Sequence, residues 1–279
     1  MSTVELPGFS LSSEPGHAGL HLIDLRNYHD GPAVNRKSEP RERGFGLFPD
    51  DDPQIDGAYP IVIGKLTSLV PGSELELREK VMALENLESF TLAVTDVSGT
   101  WHTGVAISGT IVYRIKGSGW AHFEIPLEAA DPRKYGPKQT IVVAPPAPGV
   151  GMSDPFADPF DEGAAGSSGR AVCVNQGSAP TEPIVRIYGG MDEGFELTFM
   201  EQARVVRVTR PIPPGSWVTV NHSTGEVWID EQSLLSSEYV PVGEWFQIGP
   251  GEIGTIQWEP KGAVSGAHQM VVEFASAKW

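Results

Sequence analysis

The sequence predicts a mainly β chain in two parts: a small β domain with one helix, then a sandwich or barrel of about eight short strands. Three observations predict it. In the last third, Gly215-Ser-Trp-Val-Thr-Val-Asn-His-Ser-Thr-Gly-Glu-Val-Trp-Ile-Asp230 alternates apolar and polar residues on both sides of a short polar loop ending in Gly225, the pattern of a half-buried antiparallel pair. Gly and Pro number 32 and 24 and fall between apolar runs as punctuation, without a collagen-like period. One stretch alone, Ser73 to Glu88, carries apolar residues at helical spacing.

Taken in order, the first sixty residues read as irregular, apart from a possible strand at Leu20-His-Leu-Ile-Asp-Leu25. Asp30-Gly-Pro32, Glu39-Pro-Arg-Glu-Arg43 and Pro49-Asp-Asp-Asp-Pro53 read as loops. Tyr59-Pro-Ile-Val-Ile-Gly64 opens regular structure. Pro71-Gly72 then turns the chain, and Ser73 with Glu76 three residues on forms a capping box. Leu77, Val81 and Leu84 follow at i, i+4 and i+7, so the helix over 73–88 turns one stripe inward and leaves Glu79, Lys80 and Glu85 in water. Strands are expected at Phe90–Val94, Thr110–Ile115 and His122–Leu127; Pro126 places the last at a sheet edge or a strand end.

From Ala144 the composition changes to Pro145-Pro-Ala-Pro-Gly149 and then to an Asp, Gly and Ser-rich run ending at Gly169. Residues 146–169 are therefore expected to be a linker or a long exposed loop, between a first domain over 1–145 and a second over 170–279. In the second, Ile184–Tyr188, Phe195–Phe199, Arg204–Val208, the hairpin, Glu244–Ile248, Ile253–Trp258 and Gln269–Phe274 read as strands. Glu231–Glu238 interrupts them as a loop or short helical turn.

The charge, 20 basic against 36 acidic residues, is −16 and acidic on both sides of Pro145. This argues against a nucleic-acid-binding face, which gathers Lys and Arg. No run of about 18 apolar residues exists to span a membrane, and the start lacks the basic and apolar regions of a signal peptide. The single cysteine, Cys173 in Ala-Val-Cys-Val, excludes an internal disulfide framework and reads as a small core residue.

Catalytic and ligand chemistry leaves no candidate site residues, and no enzyme activity, cofactor or metal is expected. His17 and His21 have metal-site spacing but lie in Pro-Gly-His-Ala-Gly-Leu-His, which is no helix. A nucleophile elbow and a phosphate-binding glycine loop are both missing. A carboxylate glycoside hydrolase would need a facing pair, whereas Asp230, Glu244 and Glu273 alternate outward as solvated residues. The acidic runs Asp50–Asp52 and Asp154–Glu162 follow no calcium-loop spacing and read as solvated loops. Trp217, Trp228, Trp245 and Trp258 suggest a sugar-stacking platform, but Trp217 and Trp228 on opposing hairpin strands fit cross-strand packing better.

Several stretches resemble one family. Asn175-Gln-Gly-Ser-Ala-Pro-Thr-Glu-Pro-Ile-Val-Arg-Ile-Tyr-Gly189 is similar to the segment opening the C-terminal domain of siphophage distal tail proteins (tail-tip or baseplate ring proteins, a kind of minor tail protein). Thr224-Gly-Glu-Val-Trp-Ile229, Glu244-Trp-Phe-Gln-Ile-Gly-Pro-Gly-Glu252 and Val271–Trp279 resemble that domain's later segments. Ala129-Ala-Asp-Pro-Arg-Lys-Tyr-Gly136 is similar to the close of the family's first domain. The resemblance spans most of residues 55–279; the first fifty residues and 154–169 depart from it.

What the resemblance implies is a structural virion protein of a long non-contractile phage tail. Its N-terminal domain, a small split-barrel-like β domain with a helix, forms a hexameric ring continuing the tail tube, and a galectin-like β-sandwich projects outward. The expected partners are further copies of the chain, the tail-tube protein, and the tail-tip hub with other minor tail proteins, with phage DNA passing through the lumen and no membrane. The expected location is the virion tail tip, assembled in the host cytoplasm. A dependent expectation is that Asp and Glu line the lumen so that DNA slides. The alternatives are a carbohydrate- or receptor-binding tail module and, behind it, the carboxylate hydrolase.

Overall fold

Two units divide the chain, Met1–Gly136 together with Trp279, and Pro137–Lys278. The structure is a computed structural model and describes residues 2–14, 19–31, 34–35, 54–55, 57–147 and 166–279. It is mainly β, with one α-helix among the described residues.

The first unit contains β1 (Thr3–Leu6), β2 (Phe9–Ser12), β3 (Gly19–Arg26), β4 (Val34–Asn35), β5 (Gln54–Ile55), β6 (Ile61–Thr67), α1 (Ser73–Ala83), β7 (Phe90–Asp96), β8 (Gly99–Ile107), β9 (Val112–Gly117), β10 (Trp120–Glu128) and β11 (Lys134–Tyr135). Seven of these strands close into a barrel in the order β8-β7-β1-β2-β3-β6-β10, because β10 pairs back onto β8. Closure removes the free edges that an open sheet would expose. β9 continues from β10 outside the ring, and β4 pairs with β5.

The interior follows the alternation of β10: Ala121, Phe123, Ile125 and Leu127 are all buried. Phe123 packs edge-on to Phe9 at 6.3 Å and stacks on Tyr113 at 6.0 Å. Its ring occupies the place where a side chain on Gly64 would sit, 2.4 Å from an added Cβ. The helix buries Leu77, Val81 and Leu84 in the same core, as its spacing predicts.

Three expectations need correction here. The start of the chain is regular, since β1 and β2 form a hairpin around Pro7-Gly8 with Leu6 opposite Phe9 and bury Val4, Leu6 and Leu11. The capping box does not form: Gly72, at φ 93°, is the N-cap, and the Ser73 hydroxyl donates back to the Val70 carbonyl. Instead Glu74 Oε2 accepts from the Gly72 N–H at 3.1 Å and the Gly119 N–H at 2.7 Å, tying the helix start to the β9–β10 turn. Hydrogen bonds from its own backbone N–H and those of Gly119 and Gly72 hold the Glu74 carboxyl below the usual glutamate value, against the opposing effect of burial. The α-helix ends at Ala83, followed by a single 3-10 turn over Leu84–Asn86. Lastly, β10 is an interior strand. Pro126 sits where one partner gives way to another, since β9 pairs with β10 only as far as Glu124 and β8 takes over at Leu127. The missing proline N–H therefore falls between two ladders.

The second unit is built from β12 (Gln139–Val143), β13 (Arg170–Val174), β14 (Ile184–Met191), β15 (Phe195–Phe199), β16 (Arg204–Val208), β17 (Trp217–Asn221), β18 (Glu226–Ile229), β19 (Ser233–Leu234), β20 (Val242–Gly243), β21 (Ile253–Pro260), β22 (Val264–Phe274) and β23 (Ala277–Lys278). One antiparallel sheet runs β12-β22-β14-β17-β18-β19 and another β13-β21-β15-β16-β20. Both turn their apolar faces into a single core containing Ile187, Val220 and Met270 from the first sheet and Leu197, Phe199 and Trp258 from the second. The apolar run Glu244–Ile248 is not a strand. Its Phe246 and Ile248 are buried, but its backbone is fixed by the isolated Ile248–Thr181 bridge rather than by a ladder.

Residues 148–165 lie outside the description, as do the expected loops at 39–43 and 49–53. The ends of the first of these are described: Ala147 and Ser167 form a two-way backbone bridge, at 2.9 and 3.0 Å, and the Ser167 hydroxyl donates to the Ala144 carbonyl. The chain therefore leaves the second unit and returns to it at one place.

Candidate functional site

The residues that carry the family resemblance turn out to be structural knots. Asn175 is fully buried. Its amide nitrogen donates to the carbonyls of Ala179, Ile248 and Gly249 at 2.8–3.1 Å, and its Oδ1 accepts from the N–H groups of Gly177 and Ala277. Gly177 is required beside it, because a Cβ there would lie 1.7 Å from the Ala277 carbonyl oxygen. Thr181 donates its hydroxyl to the Ala275 carbonyl at 2.7 Å. In the first unit Asp131 accepts from Arg133 Nε at 2.9 Å and from the Tyr135 hydroxyl at 2.6 Å. Burial would raise the Asp131 carboxyl, but Arg133 and Tyr135 outweigh it and hold it below the usual aspartate value.

The residues weighed for chemistry are dispersed. Cys173 is a core residue of β13, where burial, and next the Glu201 charge, push its thiol up to about 12. His21 lies on β3, bonded through Nε2 to the Thr67 hydroxyl at 2.9 Å, while His17, Asp50–Asp52 and Asp154–Glu162 lie outside the described residues. Among the described residues, no three His, Cys, Asp or Glu side chains gather as a metal site.

The carboxylates expected in solvent are engaged. Asp230 accepts from the Trp217 N–H at 3.0 Å, and Glu244 from the Val205 N–H at 2.9 Å. Glu273 takes ion pairs from Arg186 at 2.6 Å and Lys138 at 2.7 Å. Burial would raise its carboxyl; those two cations win and lower it.

The tryptophans separate. Trp258 is fully buried in the core, and Trp217 stacks on Tyr188 at 6.0 Å. Trp228 stands opposite Thr219 rather than Trp217, so the expected tryptophan pair is offset by two residues. Trp245 lines a cavity of about 180 Å³ with Glu182, Arg204, Ser223, Phe246 and Gln247, and His222 forms part of its wall. His222 is 4% exposed, its ring 3.8 Å from that of Phe246, and neither ring nitrogen has a hydrogen-bond partner. Burial pushes its pKa down to about 3.

The folded protein keeps His222 neutral down to about pH 3, whereas the unfolded chain takes up a proton near pH 6.5, so acid favours unfolding. Stability is complete above pH 6.5 and falls between 6.5 and 3, by about 2 kcal/mol at pH 5. Urea unfolding at pH 7.5 and pH 5 should register this loss in the wild type, and His222→Phe should remove most of it. An unchanged pH dependence in the variant refutes the assignment.

One surface in the first unit was not foreseen. Strand register aligns His21 with Lys65, Lys65 with His122, and His122 with Arg114, a row across β3, β6, β10 and β9. Paired residues on adjacent strands project to the same face. Lys116 is the extra residue of a bulge between β9 and β10, next to Trp120, which is 56% exposed. Lys65, Arg114, Lys116, Trp120, His122 and Ile23 line an open cavity of about 390 Å³.

No protein-family model and no curated protein matches the sequence. Solved structures do share its fold. The crystal structure of the SPP1 Dit (gp 19.1) protein, described as a paradigm of the hub adsorption apparatus in phages infecting Gram-positive hosts, matches with a TM-score of 0.62 at 12% identity, over 99% of each chain. A chain of the phage P2 baseplate, in its activated conformation with Ca, matches with a TM-score of 0.50 at 10% identity, over 97% of each chain. The same baseplate with Sr gives the same values. The fold, from one end of the chain to the other, is thus that of phage hub and baseplate proteins.

Proposed function

We propose that this chain is a distal tail protein of a long-tailed phage: a structural component that forms a ring, joins the tail tube to the tail-tip hub, and lets DNA pass. The observation that carries the reading is the end-to-end fold likeness to the SPP1 Dit protein, covering 99% of both chains. The placement of the resembling motifs supports it, since Asn175, Thr181 and Asp131 serve the packing of their units. Work of this kind makes and breaks no bonds; it needs stable β units with surfaces for neighbours.

The test is oligomeric state with partners supplied. Six chains of 30.0 kDa should assemble to about 180 kDa, and negative-stain images should show rings alone or on tail-tube ends. A chain that stays monomeric with tail-tube and hub proteins present overturns the reading.

A second reading, a carbohydrate-binding tail module, draws on Trp245 and the polar side chains around its cavity. Binding on a glycan array that Trp245→Ala abolishes would favour it; a blank array rejects it.

A further inference from the structure

We infer that the cationic face formed by β3, β6, β10 and β9 contacts the phosphodiester backbone of DNA, an inference that rests on the DNA-passing reading above. The sum of charges, −16, argues the other way, but it averages over the whole chain. Locally the register gathers Lys65 and Arg114 into one line with His21 and His122, and the bulge adds Lys116 beside it. Three strand spacings make this row roughly 14 Å long, about four base-pair steps of a duplex.

Arg26 is paired with Asp24 at 3.1 Å and Arg133 with Asp131 at 2.9 Å, whereas Lys65, Arg114 and Lys116 have no ion-pair partner among the described residues. On the same side of β10, Glu124 lies two residues from His122 and is half-buried, and on β3 Asp24, paired with Arg26, stands opposite Ile63. Trp120 and Ile23, 56% and 49% exposed, give the groove apolar walls that stack or pack without reading sequence.

A few phosphate contacts of this kind are sequence-independent, strongly salt-dependent and brief, which suits a polymer that must move past.

The experiment uses the full chain and a fluorescent 20-base-pair duplex, with anisotropy read from 50 to 200 mM salt. Three phosphate contacts predict about a 40-fold loss of affinity over that range. Neutralising Lys65→Gln, Arg114→Gln and Lys116→Gln together should cut the log–log salt slope by about 2.7, and Arg114→Gln alone by about 0.9. Arg207→Gln, which removes a paired arginine in the second unit, should change nothing.

No binding at 50 mM, or a triple variant that binds like the wild type, overturns the inference. Equal or tighter binding of poly-glutamate overturns it in favour of an acidic protein face. A tenfold preference for poly(glycerol phosphate) overturns DNA as the source of the phosphodiester. Mass photometry of the same samples separates this outcome from the ring: rings that ignore DNA sink the face alone, and DNA-binding monomers sink the ring alone.

Discussion

Asn175→Ala should be the most damaging single substitution in the second unit, costing about 4 kcal/mol in equilibrium urea unfolding. The wild-type side chain is fully buried and connects four stretches of backbone, at Gly177, Ala179, Ile248–Gly249 and Ala277. Alanine removes the side-chain partner of the Ala179 carbonyl and of the Gly177 and Ala277 N–H groups, while Ile248 and Gly249 keep the Thr181 and Glu252 N–H donors; each orphaned buried group costs about 1–3 kcal/mol before relaxation. Asn175→Asp should be at least as harmful, because it sets a carboxylate against three carbonyl oxygens. A loss below 1 kcal/mol for the alanine variant would mean that the junction is held by the Thr181–Ile248 bridge instead.

Phe123→Ala should cost the first unit about 4 kcal/mol by the same measurement. The ring is fully buried between Phe9 and Tyr113, and its third neighbour is Gly64, which has no side chain to move into the space. A cavity that cannot collapse makes the upper part of the range for Phe→Ala appropriate. The site also offers an internal check. Gly64→Ala alone collides with the ring and should destabilise, but in the Phe123→Ala background its methyl group finds room, so the double variant should be less damaged than the sum. Strict additivity would refute this packing.

How much of this could be read from residues alone depends on how local the determinant is. The stripe that runs from α1 into the 3-10 turn is local, and Leu77, Val81 and Leu84 face the core as their spacing requires. The helix cap is not, because Glu74 bonds to Gly119, 45 residues away. Four-residue strands such as β1 and β2 offer too little alternation to stand out, although Pro7-Gly8 marks their turn. Glu244–Ile248 departs in the opposite direction: it is apolar because two side chains are buried, and single hydrogen bonds to Val205 and the Thr181 bridge, not a ladder, hold its backbone.

Sites are less local still. His21, Lys65, Arg114 and His122 are scattered through a hundred residues of an acidic chain, and strand register alone brings them together. The isolated histidine at 222 gave no sign of being a neutral core residue. Conversely, the Asn175 and Asp131 segments were visible as motifs, but their chemistry is hydrogen bonding within the fold.

The bridge between Ala147 and Ser167 brings the two described ends of the intervening stretch together. Since both ends are fastened at one point of the second unit, the length between them is nearly free, with each doubling costing only about 0.6 kcal/mol in closure entropy. Descendants of such a scaffold can lengthen, shorten or replace that stretch, even with a whole inserted domain, while the sheets beneath keep their register. The packing of the second unit is thereby uncoupled from the length of that stretch.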